Sequence, residues 1–342
     1  MSLYRLYFVG MFFLCISSCM FSLGIHDTIY DAFQQFIHPI NFYKTEQLKG
    51  GCTDNTQYLC IVNEKKYVAR LLSSSYPERK KEISMHLHYA DQGIAPHVYY
   101  YANDYSFIIM DFIESKTLTL EDAQKDDVLK NMAHVMSRFN EAAIDYKSDR
   151  HGDIVRWYNV TKENNSCMPV LLENAFAALE SIDEALEKES RPLVLNHNDI
   201  HPRNLFLLDN NIICIDWEEV GMNYVFYDLA NYSLYACLND KQEYDFLTHY
   251  LKHIPSQSEW SYFKKVKLLS YLWNVFAWFA FLGPIPDNIS PVKDFSYYAT
   301  IFAHNKHVEE PFFFFELAFA LLNNFSQEYE SFKQEHYECA IS

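Results

Sequence analysis

The sequence between residues 193 and 218 reads Leu193-Val-Leu-Asn-His197-Asn-Asp199-Ile-His201-Pro-Arg-Asn204-Leu-Phe-Leu-Leu208-Asp-Asn-Asn211-Ile-Ile-Cys-Ile-Asp216-Trp-Glu218. This order predicts a polar loop, an apolar strand, an Asn-rich turn, a second apolar strand and then a carboxylate. A hairpin of this kind brings Asp199, Asn204 and Asp216 to neighbouring loop and strand ends. The stretch therefore predicts a site in which several oxygen atoms converge.

The types of these three residues indicate phosphate chemistry. Mg²⁺ prefers carboxylate and amide oxygens, and it usually takes only one or two carboxylates together with phosphate oxygens. Asn204 and Asp216 suit that ligand set. Asp199 can then orient a substrate hydroxyl and accept its proton, as in the catalytic loops of kinases. The prediction is a kinase that uses ATP and Mg²⁺, with Asp199 and Asn204 as its catalytic pair.

Three motifs resemble the choline/ethanolamine kinase family, a branch of the aminoglycoside-phosphotransferase group with a protein-kinase-like fold. The stretch from His197 through Asp199 to Asn204 is similar to the H-N-D-x-x-x-x-N motif of that family. Asp216-Trp-Glu218 resembles its I-D-[FW]-E element, which implies that Asp216 and Glu218 lie at the metal. The Tyr227-Asp228-Leu-Ala-Asn231 segment resembles a motif whose Asp supports the catalytic loop. His197 is expected to fix the same loop by hydrogen bonds.

The N-terminal third resembles the nucleotide-binding half of the same family, and the bacterial lipopolysaccharide-type choline kinases in particular. Gly50-Gly-Cys-Thr-Asp-Asn55 is similar to a phosphate loop with one residue inserted, which leaves open whether Asp54 or Asn55 fills the family position. Tyr67-Val-Ala-Arg70 stands where kinases carry V-A-x-K, so Arg70 is expected to hold phosphates and Glu82 to be its ion-pair partner. Ile109-Met-Asp-Phe-Ile113 resembles the hinge that stacks on adenine. The resemblance implies ATP contacts from Gly50, Gly51, Thr53, Asn55, Arg70, Glu82, Met110 and Phe112.

The acceptor is expected to be a cation. A quaternary ammonium has no N–H to donate and is held by aromatic faces and nearby carboxylates. Trp273 and Phe276 share a helix face, and family choline sites carry W-x-x-W there, so Trp273 matches the first Trp and Phe276 replaces the second. Tyr224 is a further candidate. Trp273 as ordinary helix core is the competing interpretation.

These observations favour choline as the acceptor, with ethanolamine, thiamine or an aminoglycoside as alternatives. A hypothesis of another class is a membrane-tethered pseudokinase or binding protein that has kept the fold without turnover. The inserted residue in the Gly loop and the apolar N-terminus motivate it, and the intact Asp199, Asn204 and Asp216 oppose it.

The order of predicted elements defines an α+β, protein-kinase-like fold of two lobes. Short β runs surround a helix at Glu78–Asp91, and helices dominate after Ile113. We expect a β-rich nucleotide-binding lobe over residues 27–113 and a helical catalytic and substrate-binding lobe over residues 114–342. The helices predicted there include Leu120–Ala143, Val170–Glu189 and Tyr224–Leu238.

Composition excludes several classes of protein. The 342 residues carry 28 Lys+Arg against 45 Asp+Glu, a net charge of −17, and 49% of them are hydrophobic. A chain this apolar is not intrinsically disordered. Its acid excess, without a basic stripe, argues against a nucleic-acid partner. The cysteines form no C-x-x-C pair, so neither a structural zinc site nor a disulfide framework is expected.

The N-terminus stands apart from the rest of the chain. Residues 6–25 carry no charge over a length sufficient to cross a bilayer. Ile16-Ser-Ser-Cys19 resembles a bacterial lipobox. Residues 1–26 are therefore treated separately, as a signal, an anchor, an extension or a helix packed on the fold. A cytoplasmic location is expected, with membrane contact through residues 6–25 and secretion into a host cell as alternatives, and the sequence does not indicate an oligomeric state.

Overall fold

The chain divides into two compact units, the first ending at Glu114 and the second beginning at Ser115. The computed structural model describes residues 18–48, 55–73, 78–141, 146–208, 211–287, 289–291, 293–304 and 312–341. The fold is α+β, as the sequence predicts. A sheet dominates the first unit and helices dominate the second.

The described strands of the first unit form one antiparallel sheet in the order β1-β2-β3-β5-β4. Arg70 on β3 lies opposite Gln57 of β2 and Ile108 of β5, so it occupies an interior strand. The elements of this unit are α1 (Ser18–Phe33), β1 (Tyr43–Leu48), β2 (Thr56–Val62), β3 (Lys65–Leu71), α2 (Arg79–Ala90), β4 (Val98–Tyr101) and β5 (Phe107–Asp111).

Helix α1 packs its C-terminal half on this sheet. Ile29, Ala32 and Phe33 are buried in one hydrophobic cluster with strand residues such as Cys60, and the Phe33 and Tyr67 ring centroids lie 5.1 Å apart. The spacing of the buried residues places them on one helix face. The segment that follows the apolar N-terminal stretch is therefore part of the core of the first unit, and Ile25, at the end of that stretch, packs partly buried against the same cluster. Among the residues that the structure describes, no helix combines the length and apolar character needed to span a membrane.

The second unit is built around the long helix α10, which packs against α5, α7, α8 and α12. Its capping box pairs Ser256 with the Glu259 backbone and side chain, so the helix begins at Gln257. The elements of this unit are α3 (Leu120–Ala123), α4 (Asp126–Asn140), α5 (Arg150–Asn164), α6 (Val170–Ala177), α7 (Leu179–Glu187), β6 (Leu193–Asn196), β7 (Leu205–Leu208), β8 (Asn211–Cys214), β9 (Gly221–Tyr224), α8 (Tyr227–Tyr235), α9 (Asp240–Leu251), α10 (Gln257–Leu282), α11 (Phe295–His304) and α12 (Phe313–Ile341).

Three predicted helices differ from the structure. The one expected over Leu120–Ala143 is divided into α3 and α4, and acidic residues in the first turn of α4 favour a new helix start. The one expected over Val170–Glu189 is divided into α6 and α7. The one expected over Tyr224–Leu238 starts later, because residues 221–224 pair with β6 as a strand and Phe226 has a left-handed φ of 77°.

The sequence analysis missed helix α5. Its buried side chains are Arg150, Ile154, Trp157 and Thr161. Two of these four are polar, so the apolar periodicity that reveals an amphipathic helix is weak.

His86 on α2 predicts a pH dependence of stability. Its Nε2 lies 2.9 Å from the Pro96 carbonyl oxygen, and burial, reinforced by nearby Arg70, lowers its pKa from 6.5 to about 4. Between pH 6.5 and about 4, His86 binds a proton in the unfolded chain but stays neutral in the folded chain. The contribution of His86 to stability is therefore lost as the pH falls from 6.5 towards 4. Between about pH 7 and about pH 5 the expected loss is about 2 kcal/mol, measured by urea unfolding. His86→Gln should remove this loss, and His134→Gln, at an exposed position, should retain it.

Candidate functional site

Asn204, Asp216 and Glu218, the predicted Mg²⁺ ligands, are called the metal-side residues below. The β7–β8 hairpin places Asn204 and Asp216 next to each other. Leu205 pairs with Cys214 at the open end of the hairpin, and the Ile215 N–H donates to the Asn204 carbonyl at 3.0 Å. Asn204 therefore lies across from Ile215, beside Asp216. Asp216 adopts a left-handed φ of 69°, which ends the strand and begins the 3₁₀ turn Trp217–Glu219.

Asn204 orients the carboxylate of Asp199. Its Nδ2 donates to the Asp199 carbonyl at 3.0 Å and to Asp199 Oδ2 at 2.9 Å. The second carboxylate oxygen, Oδ1, lies 3.6 Å from Nε2 of His201, and the Asp199 side chain is 24% exposed. Burial acts to raise the pKa of Asp199, but His201, His197 and the Asn204 amide outweigh it and hold that pKa below its ordinary value. Asp199 is thus a fixed, ionised carboxylate that remains accessible.

The donor set of this site fits Mg²⁺ in the company of phosphates. Both contacts of the Asn204 amide to Asp199 use its nitrogen, so the amide oxygen is the end available to a hard cation. Within the part of the chain that the structure describes, no three His, Cys, Asp or Glu side chains form a closed metal cage. Asn204, Asp216 and Glu218 carry amide and carboxylate oxygens of the kind that Mg²⁺ prefers, and the hairpin brings Asn204 and Asp216 to neighbouring backbone positions.

Asp228 and His197 hold the loop that carries Asp199. The Asp228 carboxylate accepts the backbone N–H of His197 at 2.7 Å and of Asn198 at 2.8 Å. His197 Nε2 lies 3.0 Å from the Ile215 carbonyl, and its Nδ1 faces the Asp199 N–H at 3.4 Å. Burial lowers the pKa of His197, which keeps the ring neutral and suited to one donor and one acceptor role. These contacts are those required for the supporting role expected of both residues.

A buried chain of polar side chains continues from the loop into the helices. Asn231 Nδ2 donates to the Ile200 carbonyl at 3.0 Å, and its Oδ1 accepts from Asn274 Nδ2 at 2.8 Å. Tyr235 donates to Asn274 Oδ1 at 2.8 Å and accepts from the Trp278 indole N–H at 3.1 Å. The sequence analysis missed this network except for the Asn231 motif, because its other members are scattered over apolar helices.

In the first unit, Arg70 and Glu82 form the expected ion pair. Arg70 Nη2 lies 3.1 Å from Glu82 Oε1, and both side chains are 6% exposed. Of the other predicted ATP contacts, Met110 is buried in the sheet, and the Lys66 ammonium lies 5.7 Å from the Phe112 ring. Asn55 Oδ1 accepts from the Ser73 backbone N–H at 3.0 Å. Gly50, Gly51 and Thr53 lie outside the described residues.

Breaking the Arg70–Glu82 pair should destabilise the protein strongly. Arg70→Met removes the cation that lies 3.1 Å from the buried Glu82 carboxylate, at an expected cost of about 3–5 kcal/mol in urea unfolding. The double variant Arg70→Met/Glu82→Leu should recover most of that loss. Lys44→Met, in an exposed pair with Glu46 on the same sheet, should change stability by less than about 1 kcal/mol. A small effect of Arg70→Met alone would contradict this prediction.

Trp273 on α10 is half-buried and already contacts a cation within the protein. The Arg150 guanidinium carbon lies 4.5 Å from the centre of the Trp273 ring. The indole N–H is buried, and among the described residues it has no acceptor. A bound ammonium would therefore have to share Trp273 with Arg150.

Phe276 and Tyr224 stay predictions as acceptor contacts, and the structure gives neither of them support. Phe276 has no exposed surface and packs with its ring centre 5.7 Å from Tyr158 and 6.0 Å from Phe176, so it belongs to the core. Tyr224 lies at the far end of its strand pair from the loop. Gly221 of β9 pairs with Asn196 next to the loop, whereas Tyr224 pairs with Leu193, three residues away along β6.

Comparison with known proteins identifies the family of the chain. The family model described as the phosphotransferase enzyme family matches residues 44–260, more than half of the chain. The chain therefore belongs to the phosphotransferase enzyme family. Comparison with curated proteins gives no significant match.

Solved structures identify the fold. A choline kinase from Cryptosporidium parvum has a TM-score of 0.69 at 16% identity, and the match covers 92% of this chain and 97% of that one. A choline/ethanolamine kinase family protein from Mesorhizobium loti has a TM-score of 0.62 at 17% identity, covering 87% and 99%. An ADP-bound aminoglycoside phosphotransferase has a TM-score of 0.50 at 17% identity, covering 74% and 90%. The fold is thus protein-kinase-like, and its relatives are small-molecule kinases.

Proposed function

We propose that this protein is an ATP- and Mg²⁺-dependent kinase that phosphorylates the hydroxyl group of a small cationic amino alcohol, with choline as the favoured acceptor. The observation that carries the proposal is the arrangement of Asp199, Asn204 and Asp216 at the open end of one hairpin. Membership of the phosphotransferase family, and the ADP-bound relative of the same fold, support ATP as the donor.

The chemistry follows from the fixed carboxylate of Asp199. Its ionised Oδ atoms accept a hydrogen bond from the acceptor hydroxyl and align that oxygen with the γ-phosphorus of ATP. As the new O–P bond forms and the bond to the ADP oxygen breaks, the hydroxyl proton passes to Asp199. A carboxylate with a low pKa is a weak base, so its main contribution is orientation, and the proton moves late in the transfer.

The metal-side residues have a separate task. Asn204 Oδ1, Asp216 and Glu218 would hold Mg²⁺, which when bound supplies positive charge that offsets the charge on the phosphates. Because Asn204 also donates to Asp199 Oδ2, one side chain sets the position of the carboxylate relative to the metal-side turn. In the first unit, Arg70, held by Glu82, would contact phosphate oxygens.

The choice of a cationic acceptor rests on Trp273 and on the acidic character of the chain. The ring already holds one guanidinium, which is evidence that its face suits a cation, and the protein carries a net charge of −17.

The test is ADP release by the purified protein with ATP and Mg²⁺, using choline, ethanolamine, thiamine and kanamycin as acceptors. We expect the highest kcat/KM with choline. Higher kcat/KM with another acceptor would overturn the choline assignment. Absence of turnover with every acceptor, together with measurable nucleotide binding by calorimetry, would favour the pseudokinase hypothesis.

A further inference from the structure

Arg150 is a buried cation in an unexpected position. It is the first residue of α5 and only 4% exposed. The N-terminus of a helix carries a positive partial charge, so a cation there is disfavoured by the helix itself. Burial adds a desolvation cost. Besides its ion pair with Asp153 of the same helix, at 3.5 Å, contacts with other parts of the protein account for its position.

Those contacts lead to the metal-side turn. Arg150 Nη1 donates to the Glu219 carboxylate at 3.2 Å, and Nη2 approaches the Glu219 carbonyl oxygen at 3.4 Å. Glu219 is the last residue of the turn that begins directly after Asp216. The guanidinium thus holds both the side chain and the backbone of that turn, which a single ammonium could not do in the same geometry.

The same carbonyl oxygen is shared with the loop that carries Asp199. Asn198 Nδ2 donates to the Glu219 carbonyl at 2.9 Å and to the Gly221 carbonyl at 3.1 Å. Asn198 is fully buried and precedes Asp199. Arg150 and Asn198 therefore both donate to the Glu219 carbonyl oxygen, and this one atom connects the Asp199 loop with the Asp216–Glu219 turn.

Gly221 on β9 lets residues 146–148, which precede Arg150 in the chain, approach this strand closely. A Cβ atom at this position would lie 3.1 Å from Ser148 Cβ and 3.2 Å from the Tyr146 carbonyl oxygen. Met222 N–H donates to that same Tyr146 carbonyl at 2.6 Å. The close approach brings Arg150 to Glu219 and, on its other side, to the Trp273 ring.

We propose that Arg150 is a positioning residue that fastens the Asp216–Glu219 turn to the Asp199 loop and to Trp273. It touches neither phosphate nor metal in this role. Arg150 instead fixes the position of the residues that are expected to contact phosphate and metal. The proposal rests on the proposed kinase function.

The test is the Mg²⁺ requirement of Arg150→Gln. Outer partners of metal-side residues typically contribute about 10- to 100-fold to metal affinity or activity. We expect kcat to fall by about that factor, with a parallel rise in the Mg²⁺ concentration for half-maximal rate. A second readout that needs no turnover is Mn²⁺ binding, by electron paramagnetic resonance, with a non-hydrolysable ATP analogue present.

Two further variants keep the test decisive. Lys162→Gln removes an exposed cation of the same helix that contacts none of the partners of Arg150, and it should leave all three readouts unchanged. Arg150→Lys keeps the charge and should fold even where Arg150→Gln does not. It should still raise the Mg²⁺ requirement, because a single nitrogen on a shorter side chain does not reproduce the two separate contacts of the guanidinium with Glu219.

A wild-type Mg²⁺ requirement and wild-type Mn²⁺ affinity in folded Arg150→Gln or Arg150→Lys would overturn the proposal. If the wild-type protein itself turns over no acceptor, the proposed function fails. The Mn²⁺ measurement then still decides the role of Arg150.

Discussion

Asp199→Ala is expected to lower kcat by about 10²- to 10⁴-fold, the range contributed by a positioned general base. The variant loses the carboxylate that orients the acceptor hydroxyl, but it keeps the hairpin and the metal-side residues. The KM for ATP should therefore change little. Stability should fall by only about 1 kcal/mol, because the Asn204 amide loses its contact with the side chain and keeps the one with the Asp199 carbonyl.

Asp199→Asn distinguishes the effect of the negative charge on the rate from the effect of side-chain size. It keeps the size of the side chain and removes the negative charge, so its loss of rate should match that of the alanine variant. Asp126→Ala, at a side chain 76% exposed on α4, is the matched control and should retain wild-type kcat. Steady-state kinetics with the best acceptor measure all three. A rate for Asp199→Ala within about tenfold of wild type would contradict the assigned role.

Asp228→Ala is expected to destabilise the protein by about 2–5 kcal/mol and to lower kcat at least tenfold. The substitution leaves the His197 and Asn198 backbone N–H groups buried without an acceptor, and each such orphan costs about 1–3 kcal/mol. Asn198 also holds a left-handed φ of 70°. Without the carboxylate, the loop can relax from that conformation and displace Asp199. Urea unfolding and kinetics measure the two effects.

Asp240→Ala separates this role from an ordinary helix-dipole contribution. Asp240 lies in the first turn of α9, as Asp228 does in α8, but its side chain is 82% exposed and pairs with Lys264. Its removal should cost less than about 1 kcal/mol and leave kcat unchanged. Equal effects at the two positions would show that Asp228 acts only as a helix-start carboxylate.

Asp228 also predicts a pH effect of defined sign. Burial raises its pKa from 3.8 to about 7, against the two backbone N–H groups that favour the charged form. Between these values the folded state holds a proton that the unfolded state has lost. The contribution of Asp228 to stability therefore falls as the pH rises from about 4 to about 7. Asp228→Asn should lose that slope, and an unchanged slope would contradict the assignment.

The motifs on the hairpin were predictable because their chemistry is local. Asp199, Asn204 and Asp216 are separated by short strands whose alternation and Asn-rich turn are evident in the sequence, so the hairpin brings them together. The Arg70–Glu82 pair could be predicted for a related reason, since a strand cation and a helix carboxylate stand at kinase spacing. The α+β order of elements follows in the same way from short β runs that give way to helical periodicity.

The acceptor side was less predictable because it depends on which helix face is buried. Helical spacing puts Trp273 and Phe276 on one face, but spacing does not say what packs against that face. In the structure α5 and α6 cover Phe276, and Arg150 covers part of Trp273. The burial pattern of α5 gave too little apolar periodicity to reveal that helix beforehand.

By itself, the sequence determined the fold class and the hairpin, and it predicted the oxygen set around Asp199, because each depends on residues close together in the chain. The family resemblance implied that Asp228 supports the loop. The tertiary structure alone decided which backbone N–H groups Asp228 accepts, that Asn274 extends the support through Asn231, and that Arg150 joins the Glu219 turn to Trp273. These contacts join residues about 30 to 120 positions apart in the chain. These long-range contacts depend on burial and on hydrogen-bond geometry in the folded protein. Neither can be predicted from a local pattern of residues.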